Sequence, residues 1–449
     1  MLRSVLSVLL GFGLAACGSD PLRTPAEEGD DAGRGGNTAG SGRGGMSAAG
    51  RGGSTGGTSA GSAGNDAGGP PVPDYTLSPC YGQAETTEVY DLGSHDVNTV
   101  TATCRGEGNR TLFYVADDLW ETEYAPGAPP FTQADVDAFL YAYELTGHAG
   151  SAYPELGILP ADELVFGALD EAGLTNGKLP IFLISSGGAG QGYLCSWCAR
   201  LELHLDGPLL RSLRTDEALS IAAHETVHAI HRGLDSNESI WVDESLAEAA
   251  MTLNGYFTDG EWLSGFLHDT NQRWGPGVTE ISDFNYGAGL LFGSYLWERG
   301  GAELLGAVTR EPQNDWAGID AALASVGAGQ DGWQLFLDMA MAVALDDEAS
   351  GYHFASFDLG EGPAAVSVET GSSLNDTVEE SGLVYVALSG DARGFTVDSS
   401  APVTARIALS GDPTQIADVA PGVPFDFDRP ARALLLTSPE PGEFTLSVR

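Results

Sequence analysis

Basic residues are scarce in this chain. Twenty Lys and Arg face 63 Asp and Glu, which leaves a formal net charge of −43 and a pI near 4.1. Such a surface repels a phosphate backbone, so nucleic acid is not expected as a partner, and direct adsorption to anionic lipid is disfavoured. Long apolar runs are lacking too. Residues 4–14, after Met1, Leu2 and Arg3, are apolar but too few to cross a bilayer as a stable helix. Cysteine is sparse, with five in 449 residues. Cys195 and Cys198 have no thioredoxin pattern around them and no second ligand pair nearby, which favours a structural clip over a redox motif or half of a zinc site. The glycines between 187 and 192 lack the Lys-Ser/Thr ending of a phosphate-binding loop, which removes that function.

What is present begins with an export signature. A basic start, a short apolar stretch and the ending Leu14-Ala15-Ala16-Cys17 resemble a bacterial lipoprotein signal over residues 1–17, with Cys17 as the lipidated residue. No Asp occupies the second mature position, so the resemblance implies an exported, lipid-anchored chain at the outer membrane or cell surface, touching membrane only through its lipid. Four cysteines remain, an even number suited to disulfides in an oxidising compartment. Nearness in sequence favours Cys80 with Cys104 and Cys195 with Cys198.

Residues 18–73 are dominated by Gly, Ser, Ala and Thr and can form no core; a flexible tether is expected. From 74 the composition changes. Segments near 99–103 and 110–115 read as strands, Thr132 opens a capped helix with Val136, Phe139, Leu140 and Tyr143 on one face, and 179–185 is a short apolar strand. Apolar and polar residues alternate over 199–206, which predicts a half-buried strand with His204 as a surface side chain. Residues 361–449 hold at least four further strand-like runs, expected to form a small β-sandwich that caps the larger 74–360 domain or binds a surface polymer.

The chemistry concentrates in Ile221-Ala-Ala-His224-Glu225-Thr226-Val227-His228-Ala229-Ile230. On a helix, residues four apart lie about 40° from one another around the axis and about one turn apart, so His224 and His228 can reach one ion. Glu225 is turned about 100° from His224, placed to address water at that ion without being a ligand. The flanking Ala, Val and Ile make this an apolar helix, in which two His and a Glu are costly without partners. A catalytic zinc needs three protein ligands and one open position. The metzincin pattern wants Gly at 231 and His at 234, but the chain has His231 and Leu234. The gluzincin option draws a Glu from the following helix, predicted from about 239 to 253, where Glu244 is suitably placed, with Glu248 four residues on as a partner for the far nitrogen of a ligand histidine. The spacing also admits the reverse assignment of these two carboxylates.

His224-Glu-Thr-Val-His228 followed by Trp241-Val-Asp-Glu244-Ser-Leu-Ala-Glu248 resembles the hyicolysin-type neutral zinc metallopeptidases and, more broadly, the gluzincins. The likeness spans roughly 100–350 and is strong only at the two ligand helices. It departs at Thr226-Val227, where an aromatic-polar pair is usual, and at Asp243, where Asn is usual. The resemblance implies an α+β, thermolysin-like zincin domain, one Zn²⁺ on His224, His228 and Glu244, and Glu225 as general base. Tyr286-Gly-Ala-Gly resembles the Tyr-x-Lys-Gly segment that supplies an oxyanion donor in gluzincin aminopeptidases, which makes Tyr286 the first candidate and His231 and His268 the alternatives. No Gly-x-Met-Glu-Asn-type segment is present to hold a free amine, so an endopeptidase acting as a monomer on protein or peptide is expected. The competing expectation is an inactive zincin-fold surface lipoprotein whose β domain carries adhesion.

Overall fold

The computed structural model describes residues 73–91, 96–124, 127, 129–187, 191–195, 197–256, 260–279, 281–357, 359–360, 362–411 and 414–449. Cys17, the expected signal segment and all of the expected tether but residue 73 lie outside them.

Runs rich in Thr, Val and aromatics form the first strands: β1 (Ala84–Asp91), β2 (Asp96–Glu107) and β3 (Thr111–Ala116). Helices α1 (Gln133–Glu144) and α2 (Ile158–Val165) then cross to β4 (Leu179–Ile184), followed by β5 (Gly192–Leu194) and β6 (Leu203–Asp206). The sheet order is β1-β2-β3-β4-β6-β5; β3, β4 and β6 run parallel, and the remaining neighbours are antiparallel. Every residue of β3 and β4 is buried, which accounts for their continuous apolar runs: both faces are covered. Phe113, Val115, Ile181 and Leu183 face the helices. Tyr114, Phe182 and Ile184 face Val89 and Ala102 of the β1–β2 hairpin. The β2–β3 register shifts between Cys104 and Gly106, the kind of irregularity that bends a strand, and β1 passes over the sheet far enough for Thr87 to touch β6.

The alternation over 199–206 is misleading. Strand β6 is buried at all four residues, lies between β4 and β5 rather than at an edge, and holds His204 at 0% exposure. The edge position belongs to β5. The apparent polar face of β6 is satisfied by the crossing β1, a long-range contact that local periodicity cannot report.

A single-turn helix α3 (Gly207–Leu210) leads to α4 (Asp216–Leu234) and α5 (Ile240–Leu253), then α6 (Gly260–His268), α7 (Asp283–Thr309), α8 (Asp315–Val326) and α9 (Gly332–Leu345). Helix α4 packs beside β5 and β6, α5 packs on α4, and α7 on α5. At that last crossing a Cβ on Gly293 would collide with the carbonyl oxygen of Ser245, so only glycine allows this approach.

The segment after α9 folds into strands β7 (Ala365–Val368), β8 (Ser373–Val378), β9 (Val384–Leu388), β10 (Gly394–Ser399), β11 (Thr404–Leu409), β12 (Gln415–Val419), β13 (Phe425–Asp426), β14 (Ala431–Thr437) and β15 (Gly442–Val448). They make a four-stranded sheet, β13-β10-β15-β8, and a five-stranded one, β12-β11-β14-β9-β7. Val397, Leu446, Ile407, Leu434 and Leu436 fill the space between the sheets. Tyr385, Ala408 and Leu435, on the other side of the second sheet, belong to the main core instead. The Tyr385 hydroxyl donates to the Ala340 carbonyl of α9 at 2.8 Å. Arg406, 4% exposed, donates to Asp338 and Gln334 of α9 and to Asp418 of β12 at 2.6–2.9 Å. Residues 73–449 thus form one compact unit, with mixed α and β structure in several sheets.

Candidate metal centre

Helix α4 starts where Thr215 accepts from the Ala218 N–H, with Asp216 and Glu217 in the positive first turn. Its apolar residues are buried almost throughout, so the helix is anchored by packing on several sides. Thr226, between the two histidines, is 2.6 Å from the Tyr143 hydroxyl of α1 and also donates to the Ala222 carbonyl. That pairing gives the small polar residue a structural use. In α5, Trp241 is fully buried and its indole N–H donates to Asp315 at 2.9 Å, which fixes the helix start next to Asp243 and Glu244.

The two helices bring three ligand-type atoms together. His224 Nε2 and His228 Nε2 are 3.0 Å apart, and Glu244 Oε2 is 3.2 Å from the first and 3.5 Å from the second. Four ligands about 2.0–2.1 Å from a tetrahedral zinc are about 3.3–3.4 Å from one another. The observed triangle has nearly those edges. Two imidazole lone pairs facing each other at 3.0 Å repel unless a proton or a cation lies between them. This donor set therefore fits a metal, and among the described residues one other set of metal-type donors, Cys195, Cys198 and His204, is comparably close.

The outer nitrogens are also engaged. His224 Nδ1 is 3.2 Å from Glu248 Oε1, and His228 Nδ1 is 3.1 Å from Asp243 Oδ2. Glu248 thus lies behind His224, while Glu244 faces the triangle. The other Asp243 oxygen is 2.7 Å from His231 Nδ1, so one carboxylate braces two histidines of α4. This role of Asp243 was legible only in outline: it occupies the position before Glu244, and His228 and His231 are three apart on one helix face.

The charges are mutually perturbed. Burial lowers the His224 pKa, but Glu244 and Glu248 outweigh it and raise it to about 9. His228 is raised well above its ordinary value: burial opposes the charged form, and Asp243 and Glu244 overcome it. Burial alone would raise Asp243 and Glu244, yet the His228 charge leads the opposing effects and holds both low. For Glu248 burial wins and its carboxyl is raised. Without a metal the pocket therefore retains protons.

Glu225 is 1% exposed and faces β5: a Cβ on Gly192 would lie 3.2 Å from Glu225 Cγ and 2.6 Å from Ile221 Cγ2. Tyr286, on α7, is also 1% exposed, with its ring 6.2 Å from that of His224 and 5.0 Å from that of Trp262. Of the alternative donors, His231 is turned to Asp243 and His268 is exposed at the end of α6. The cysteines pair as expected, Cys80 with Cys104 and Cys195 with Cys198. His204 is not a surface residue: its Nε2 lies 3.1 Å from Thr87 Oγ1 and 3.2 Å from Glu202 Oε2, and burial lowers its pKa despite Glu202. No protein-family model and no curated protein matches the chain.

Proposed function

We propose that this chain is a zinc-dependent endopeptidase of zincin architecture, exported and held at a membrane by lipid on Cys17. The triangle of His224, His228 and Glu244, with edges of 3.0, 3.2 and 3.5 Å, carries the proposal. A zinc ion held there would supply Lewis acidity, activating a water in its open position and polarising the substrate carbonyl. Glu248 and Asp243 orient the two imidazoles so that both Nε2 atoms face inward. Glu225, adjacent to His224 but outside the triangle, takes the proton from the attacking water and gives it to the departing amine. Tyr286 donates to the developing oxyanion. Strand β5, at the sheet edge with Gly192 against Glu225, offers backbone pairing to an extended peptide.

Purified protein tests this directly. Wild type should hold one zinc per chain and cleave an unfolded protein until a chelator is added. Glu225→Gln should keep the zinc and lose the cleavage, and Tyr286→Phe should lower turnover with zinc unchanged. Zinc-loaded wild type as inert as Glu225→Gln across broad peptide libraries would instead favour the inactive adhesion protein.

A further inference from the structure

The second group of metal-type donors lies on the opposite face of the sheet. Cys195, Cys198 and a ring nitrogen of His204 all lie within 4.8 Å of one another. The backbone explains the placement. Tyr193 of β5 pairs with His204 of β6, and the Cys195 N–H donates to the Glu202 carbonyl at 2.9 Å, which continues the ladder and puts Cys195 on the same face as His204. The imidazole is held from one side. Its Nε2 meets Glu202 and Thr87, and Arg200 in turn donates to Glu202 at 2.7 Å. His204 is fully buried, and its Nδ1 has no hydrogen-bond partner among the described residues. A buried lone pair of this kind is costly unless something occupies it. The Glu88 carbonyl oxygen of β1 is 4.0 Å from Cys195 Sγ and 3.8 Å from Cys198 Sγ, and Cys198 is half-buried, so the group is reachable from solvent.

We propose that the Cys195–Cys198 disulfide covers a second metal site, which on reduction binds a thiophilic dication such as Zn²⁺ or Cd²⁺ through both thiolates and His204 Nδ1. The step balances with a dithiol as reductant. The S–S bond takes two electrons and two protons, the dithiol closes to its own disulfide, and the two new thiols release their protons as the dication binds. Two thiolates neutralise the ion, and a neutral imidazole completes a set suited to soft or borderline metals. The Glu202 and Thr87 contacts on Nε2 act as the outer partners that such a histidine normally has. Nothing in this site depends on the proposed peptidase activity.

Cadmium titration of the full chain tests it. Protein reduced with a dithiol and freed of reductant without air should develop thiolate-to-cadmium charge transfer in the near ultraviolet, saturating with one ion, and native mass spectrometry should count one more cadmium than in the oxidised protein. Cys80→Ser/Cys104→Ser should retain the band, and Cys195→Ser/Cys198→Ser should abolish it without loss of the ion on His224, His228 and Glu244. His204→Gln should weaken binding by more than the roughly tenfold cost of losing an outer partner. Should that variant fail to fold, Cys198→Ser alone, at the more exposed sulfur, should still remove the band. Equal cadmium uptake by reduced and oxidised protein, or a band that survives without Cys195 and Cys198, overturns the proposal.

Discussion

Single side chains set the proton balance of the His224, His228 and Glu244 triangle and, with it, the proposed uptake of a metal. In the metal-free protein the His224 pKa of about 9 exceeds the ordinary 6.5, so its protonation adds stability that is complete below 6.5 and lost as pH rises through about 9. A metal must displace those protons. Apparent zinc affinity, measured by chelator competition, should therefore climb across that window while the metal-free protein becomes less stable to denaturant; a flat affinity profile would contradict the geometry. Asp243 gives a second test at this scale. Because it braces both His228 and His231, Asp243→Ala should lower zinc affinity by roughly ten- to a hundredfold. An unchanged affinity would show that the brace is idle.

At the scale of elements, the contact between β5 and α4 is the narrow point. Gly192→Ala would press a methyl group on Ile221 and Glu225, and Ile221 is β-branched and stiff. The variant should lose about 1–3 kcal/mol of stability in denaturant titration and lose turnover while keeping zinc. Wild-type turnover in that variant would mean that β5 can move away without consequence. The helices of the site were legible because their cues are local: apolar neighbours around His224 and His228, and Glu244 and Glu248 one turn apart. Nearness favoured Cys80 with Cys104 among three possible connectivities, and the structure has that pair. Strand β6 was legible as a strand, but its full burial was not. Its exposed-looking residues are buried by β1, more than a hundred positions earlier, through Thr87 contacts to Glu202 and His204. The same holds for Asp243, whose position could be read from the motif but whose two partners required α4 and α5 to be docked.

For the whole molecule, the five-stranded C-terminal sheet is wall as much as appendage. Tyr385, Ala408 and Leu435 face the main core, and Arg406 ties β11 to α9. A chain cut after residue 360 should expose that surface of α9 and give poor soluble yield and a lowered thermal midpoint relative to the intact chain. A truncated protein that unfolds at the same temperature and retains activity would show the sheet to be dispensable. Residues 431–437 lie in the middle of that sheet, as β14 between β11 and β9. When a chain emerges N-terminus first, the helices that carry His224, His228 and Glu244 come out long before this strand, while the back of α9 is still bare. On the proposed reading, a site arranged in this way is complete only near the end of the chain's own emergence, and the timing of its chemistry is written into the order of its strands.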